Sequence, residues 1–173
     1  SEQYLWNSGM FIWKVSTILK NLETYLPETY VASEEQRLDL YKRIALIDSE
    51  EGRDEMLDEL IDRFGEPSRS VQNLLFIAML RMEAHKAFVT DIVQRPEEIV
   101  FTLFERAAID ASGIPAVIEK NKPYVTFTAD AKHPAFHYFY KKNSRIKPKD
   151  LPDLVMTFVK ELQGLALNQK SEN

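Results

Sequence analysis

"DELIDRFGEPSRSVQNLL", residues 58–75, holds the end of one helix and the start of another. Leu57, Leu60, Ile61 and Phe64 stand at i, i+3, i+4 and i+7, the spacing of an amphipathic helix face. Gly65 is placed to take the left-handed residue after the helix, and Pro67 just beyond cannot continue it. From Ser68 or Ser70 to about Ala87 the pattern is helical again. There Leu74, Leu75, Phe76, Ile77, Met79 and Leu80 cover nearly the whole circumference, which predicts a helix in the middle of the fold.

Working outward, Ser33-Glu34-Glu35-Gln36 has capping-box spacing and predicts a helix start at Ser33. Leu38, Tyr41, Ile44 and Ala45 then recur at helical spacing, with an end expected near Asp48. After "DSEEG" comes the helix that ends at Gly65. Downstream the character changes. "EIVFTLF" (98–104), "YVTFTAD" (124–130) and "AFHYFYKK" (135–142) are rich in β-branched and aromatic residues and read as strands. "DASGIPAVIEKN" between the first two is a short helix or turn. "PKDLPDLVMTFVKELQGL" is a closing helix, with Asp150 as its expected N-cap, Pro152 in the first turn, and Leu154, Val155, Phe158 and Leu162 on one face. Helices first, then a small antiparallel sheet and a closing helix, make an α+β arrangement.

The chain has 173 residues, 45% hydrophobic and 28% charged, which fits one globular domain with a short appendage. Its net charge of -5 argues against a domain that holds nucleic acid by bulk electrostatics. There is no cysteine, hence no disulfide or thiolate chemistry. The longest apolar run, "LLFIAML" at 74–80, is far short of the roughly 20 residues of a membrane span. A cytoplasmic protein without a membrane partner is expected.

Phosphate-cradling glycine loops are missing from the sequence, and no serine or histidine has a catalytic setting. Neither enzymatic activity nor a cofactor is expected. His133 and His137 would sit about 13 Å apart along a strand, which disfavours a metal pair. His85, near a helix end, reads as a satisfied core or dipole-facing residue. Lys141, Lys142, Arg145, Lys147 and Lys149 crowd "KKNSRIKPK" (141–149), beside Phe136, Tyr138, Phe139 and Tyr140. That stretch is a solvated turn or a contact patch for phosphate or an acidic partner.

The acidic helix end carries a sharper signal. Glu55, Glu59 and Asp62 form one stripe opposite the apolar face, and each like-charge pair costs about 0.2–0.5 kcal/mol. Asp62 lies in the last turn, where the helix dipole disfavours a carboxylate by about 0.3–1 kcal/mol. Two readings stay open on the residues alone. Either Arg63 pairs with Glu59 and the rest is solvated, or a partner supplies the missing arginine.

"EEQRLDLYKRIA" and "ELIDRFGEPSRSVQNLL", with the downstream strands and closing helix, resemble the C-terminal domain of the bacterial transcription-repair coupling factors, the Mfd family, over about residues 24–165. The resemblance implies a regulatory domain of an ATP-driven, helicase-type DNA translocase that moves RNA polymerase off damaged DNA and recruits UvrA in DNA repair. The motor and polymerase-binding module lie outside this chain. The domain would pack on the N-terminal UvrB-like module of the same protein, hiding the UvrA-binding surface by autoinhibition. In that family the contact uses acidic residues against arginines, and the matching positions are Glu59 and Asp62, with Glu55 and Arg63 beside them.

"YLWNSGMFIWKVSTIL" (4–19) is instead similar to a piece of mannose-1-phosphate guanylyltransferases, although their G-x-G-x-R-x-x-P loop is missing. The expected organisation is therefore a foreign-looking or extra N-terminal segment at 1–28, a coupling-factor domain at 29–166 and a mobile tail at 167–173. A fused or mis-joined coding sequence explains the segment first, and an extra strand and helix docked on the domain second. Asn7, Ser8 and Gly9 are a vestigial sugar site in the transferase reading. A sugar-nucleotide transferase fragment and a nucleic-acid contact module are the rival functions.

Overall fold

In a computed structural model the described residues are 26–167 and, as backbone, 12–14. The expectations placed on Asn7, Ser8, Gly9, the rest of the transferase-like stretch and residues 168–173 fall outside them. The chain divides into two compact units, one holding residues 26–82 and the other 12–14 with 83–167.

In the first unit, α1 (Glu34–Ala45) starts where Ser33 Oγ accepts the Gln36 backbone N–H. It ends before Asp48 because the N–H groups of Leu46 and Ile47 bond three residues back, to Arg43 and Ile44, tightening the last turn. Its buried residues are Leu40, Tyr41 and Ile44, whereas Leu38 is 46% exposed. The expected stripe is thus rotated toward Leu40. Tyr41 draws that face inward, since its hydroxyl accepts the Leu26 backbone N–H at 2.9 Å in a buried position.

α2 (Glu50–Phe64) is capped by Ser49, whose Oγ accepts from Gly52 N–H at 3.1 Å. It buries Met56 and Leu60, while Ile61, expected on the apolar face, is 37% exposed. Gly65 closes it with φ 79° and ψ -171°, so φ is positive as the stop signal requires but ψ is extended, a region open essentially to glycine alone. Its N–H bonds Ile61 O, and the Tyr30 hydroxyl lies 2.7 Å from Gly65 O and 3.1 Å from Leu60 O. A Cβ at this position would meet no atom within 4 Å. Gly65→Ala should therefore cost about 1–3 kcal/mol through backbone strain alone. Chemical denaturation of the variant measures it, and a neutral result would mean that the turn relaxes without penalty.

α3 (Arg69–Lys86) buries Val71, Leu74, Leu75, Ile77, Ala78, Met79, Leu80, Met82 and Ala84, as the all-round apolar pattern predicts. His85 is exposed in its last turn, which is the dipole-facing alternative and not the core one.

The second unit is built on an antiparallel sheet in the order β1-β2-β3-β5-β4, with β1 at Ile12–Lys14, β2 at Val89–Gln94, β3 at Ile99–Leu103, β4 at Val125–Thr128 and β5 at Ala135–Tyr138. β2 was absent from the sequence reading. "VTDIVQ" follows a helix with no turn signal of its own, and pairing with β3 is what extends it. A short helix, α4 (Ile114–Lys120), lies between β3 and β4. Phe127, Phe136 and Phe101 stand opposite one another across β4, β5 and β3. The closing helix α5 (Leu151–Leu162) drives Phe158 onto them, 4.9 Å from the Phe101 ring, 5.9 Å from Phe136 and 5.3 Å from Tyr138, each edge to face.

Two expectations change. β5 stops at Tyr138, and Tyr140–Lys142 is a 3-10 turn, because the Tyr140 hydroxyl sits 3.0 Å from the carbonyls of Arg95 and Pro96 and takes the chain out of the sheet. Asp150 precedes α5 but makes no side-chain cap to it. Its carboxylate instead accepts the Lys147 backbone N–H at 3.0 Å and closes a 3-10 turn, Pro148–Asp150.

Candidate functional site

The exposed face of α2 carries the acidic stripe. Glu55, Asp58 and Asp62 are exposed, and none of them forms an ion pair with another described residue. Glu59 differs. Its carboxylate is gripped from two sides, by Arg43 of α1 through Nη1, at 2.8 Å, and Nη2, and by Arg63 one turn on at 2.6 Å. The hydrogen bond from Arg43, then that from Arg63, holds the carboxyl down at about 2, against an ordinary 4.5. The Arg43 guanidinium is raised in turn, first by its hydrogen bond to Glu59.

Glu59 therefore already has an arginine from another helix, because Arg43, 16 residues upstream, supplies it within the unit. Arg63 makes the i, i+4 pair that its spacing allowed. What remains open toward solvent is Asp62 in the last turn, with Asp58 and Glu55 in the turns before it. The basic last turn of α1, Lys42 and Arg43, was the only sequence signal for the missed partner, and spacing along one helix could not find it.

The basic stretch begins at the 3-10 turn after β5. Lys142 Nζ lies 4.3 Å above the centre of the Phe139 ring and Lys141 Nζ 5.9 Å from that of Tyr140. Lys141, Lys142, Arg145, Lys147 and Lys149 are all exposed.

The two strand-region histidines separate. His137, on β5, has Nδ1 2.8 Å from Glu98 and Nε2 3.1 Å from Thr128, so both ring nitrogens are engaged. His133 lies in the preceding loop, exposed and 3.7 Å from Asp130. Glu83 is the one buried charged side chain among the described residues. Burial, the largest influence, would raise its carboxyl, yet hydrogen bonds from Gln163 and Lys86 together hold it below the ordinary value. Gln163 also donates to the Glu83 carbonyl at 3.0 Å, so within the second unit it holds both the side chain and the backbone of Glu83. No described helix is long and apolar enough to cross a membrane.

Comparison with known proteins places the arrangement. The fold matches a crystal structure of the C-terminal domain of transcription-repair coupling factor, with a TM-score of 0.66 over 81% of this chain and 86% of that one, at 23% identity. The transcription-repair-coupling factor of Bacillus subtilis is 34% identical over 92 residues, and that of Staphylococcus haemolyticus 32% over 93. These alignments take in 53% and 54% of this chain but only 8% of each relative, so the chain spans a small part of the proteins it matches. The family model for the TRCF domain matches residues 20–114, which include α1, α2, the acidic stripe and α3. With more than half of its length inside that match and the fold to go with it, the chain belongs to the TRCF domain family.

Proposed function

We propose that this domain is a non-catalytic regulatory module of a transcription-repair coupling factor, which docks on the N-terminal UvrB-like module of the same protein and masks its UvrA-binding surface. The observation that carries the reading is the unneutralised acidic face of α2, with Asp62 at its C-terminal end and Asp58 and Glu55 one and two turns before it. Glu59 serves this face indirectly. By fixing Arg43 and Arg63 it leaves Asp62 as the carboxylate open to an incoming arginine. Such a carboxylate–guanidinium contact is strong when the partner surface shields it from water. RNA polymerase is met through the remainder of the protein, which also supplies the ATP-driven motor and its grip on DNA. The relatives' names support a role that couples transcription to repair.

Asp62→Lys in the full-length protein tests this. It should place like charge against the docking arginines and raise UvrA binding about tenfold or more. In the 173-residue chain the same change should shift stability by no more than about 0.5 kcal/mol, because Asp62 is exposed and without an ion pair. UvrA binding that stays at the wild-type level would remove the α2 face from the contact.

A further inference from the structure

The segment 139–150 is anchored and locally satisfied, and from 141 to 149 every charge on it is positive. Phe139 N–H bonds Tyr124 O at 2.8 Å, and the Tyr140 hydroxyl is seated between Arg95 O and Pro96 O. The chain then turns on itself, Lys142 N–H to Phe139 O, Asn143 to Tyr140, Ile146 to Asn143 and Asp150 to Lys147. Arg145 N–H takes the Asn143 side chain, and Lys147 N–H takes Asp150. With the backbone occupied in this way, the side chains are what the segment offers outward.

Those side chains are five cations in nine residues with no acid between them. Elsewhere among the described residues many basic side chains find carboxylates, as in Arg37 with Glu28, Arg95 with Glu98, Lys86 with Glu83 and Lys120 with Glu161, and nowhere else do five cations fall within nine residues. Here none of the five forms an ion pair with a described residue, and Asp150 is already committed to the backbone. In a chain of net charge -5, that concentration is a local field opposed to the global one.

A protein partner would need an apolar centre to desolvate. Among the described residues the exposed large hydrophobic ones are Leu38, Leu46, Ile61, Phe104 and Leu167, none of them in this segment. Single-stranded nucleic acid would need free aromatic faces. Phe139 is engaged by Lys142 and stacked on His137, with ring centres 6.4 Å apart, and Tyr140 is buried. Charge without apolar surface or a free ring is the chemistry that contacts the phosphate backbone of a duplex. From this we propose that Lys141, Lys142, Arg145, Lys147 and Lys149 form a sequence-independent contact site for duplex DNA.

Anisotropy titration of a fluorescein-labelled 20-base-pair duplex with the 173-residue chain tests the site. Binding should be weak, with Kd on the order of 10⁻⁴–10⁻⁶ M at physiological salt, and equal for two unrelated sequences. The plot of log affinity against log salt should have a slope of roughly -3 to -4.5, for three to five phosphates. Changing all five cations to glutamine should weaken binding at least tenfold, while Lys120→Gln with Lys122→Gln, which removes cations paired elsewhere, should not. Should the fivefold variant fail to fold, the exposed single reversals Arg145→Glu, Lys147→Glu and Lys149→Glu replace it, each flattening the slope by about one. No binding at low salt overturns the proposal, as does undiminished binding by the fivefold variant. So does a polyglutamate peptide that binds more tightly than the duplex, which would make an acidic protein the occupant.

Discussion

Phe158→Ala should lower stability by about 3–5 kcal/mol, the usual cost of emptying a buried aromatic site. Phe158 is 2% exposed and its ring meets those of Phe101, Phe136 and Tyr138, which lie on the two neighbouring strands β3 and β5. Removing it leaves a cavity at the point where α5 grips the sheet, and the edge-to-face contacts go with the buried area. For a chain of this length the melting temperature should fall by roughly 10–15 °C in a thermal scan followed by circular dichroism. Phe158→Leu, which keeps much of the volume, should lose about half as much. A melting temperature within about 3 °C of wild type for the alanine variant would show that the sheet is held by other contacts.

The second large effect is expected at Glu59. Glu59→Lys removes the hydrogen bonds from Arg43 and Arg63 and puts a third cation between them, so a loss of about 2–3 kcal/mol is expected. Glu59→Gln removes the charge and turns one accepting oxygen into a donor, and the partial exposure of the site screens what is lost to about 1–2 kcal/mol. The pH dependence gives an independent check. A carboxyl held at about 2 in the folded state, against an ordinary 4.5, stabilises the fold above pH 4.5 and loses that contribution as pH falls toward 2. The stability gap between wild type and Glu59→Gln should therefore be full at pH 6 and close between pH 4.5 and 2. A gap that persists at pH 2 would mean that the variant disturbs packing and not charge. Asp62→Lys, three residues on, should leave stability nearly unchanged, and this contrast separates the structural acid from the exposed one.

That separation was not legible in the sequence. Stripe geometry puts Glu55, Glu59 and Asp62 on the outer face of α2, and all three do lie away from Met56 and Leu60. It treats them as equivalent, however, because helical spacing reports only neighbours three or four residues away. Arg63 falls within that reach. Arg43 is on another helix, and only the packing of α1 beside α2 brings its guanidinium onto Glu59. The basic segment shows the converse. Its five charges were readable at once, but that they lack acidic partners, and that the adjoining rings are already engaged, are facts of packing.

What the sequence determined by itself were the features that act over one or two turns of chain. Ser33 and Ser49 cap their helices, Gly65 stops α2 with a positive φ, the apolar girdle of α3 is buried, and β-branched and aromatic runs become strands. Each rests on hydrogen bonds or side-chain spacing within a few residues, so composition and order suffice. Tertiary structure alone decided what depends on distant partners. β2 is a strand because β3 offers it a ladder, with Ile92 opposite Phe101 and Val93 opposite Val100. β5 ends early because carbonyls 44 and 45 residues upstream hold the Tyr140 hydroxyl. Leu38 faces water while Leu40 is buried, because Tyr41 is pinned to the chain at Leu26. A group's local propensities are small beside the free energy of a buried contact, so where the two compete the distant partner wins.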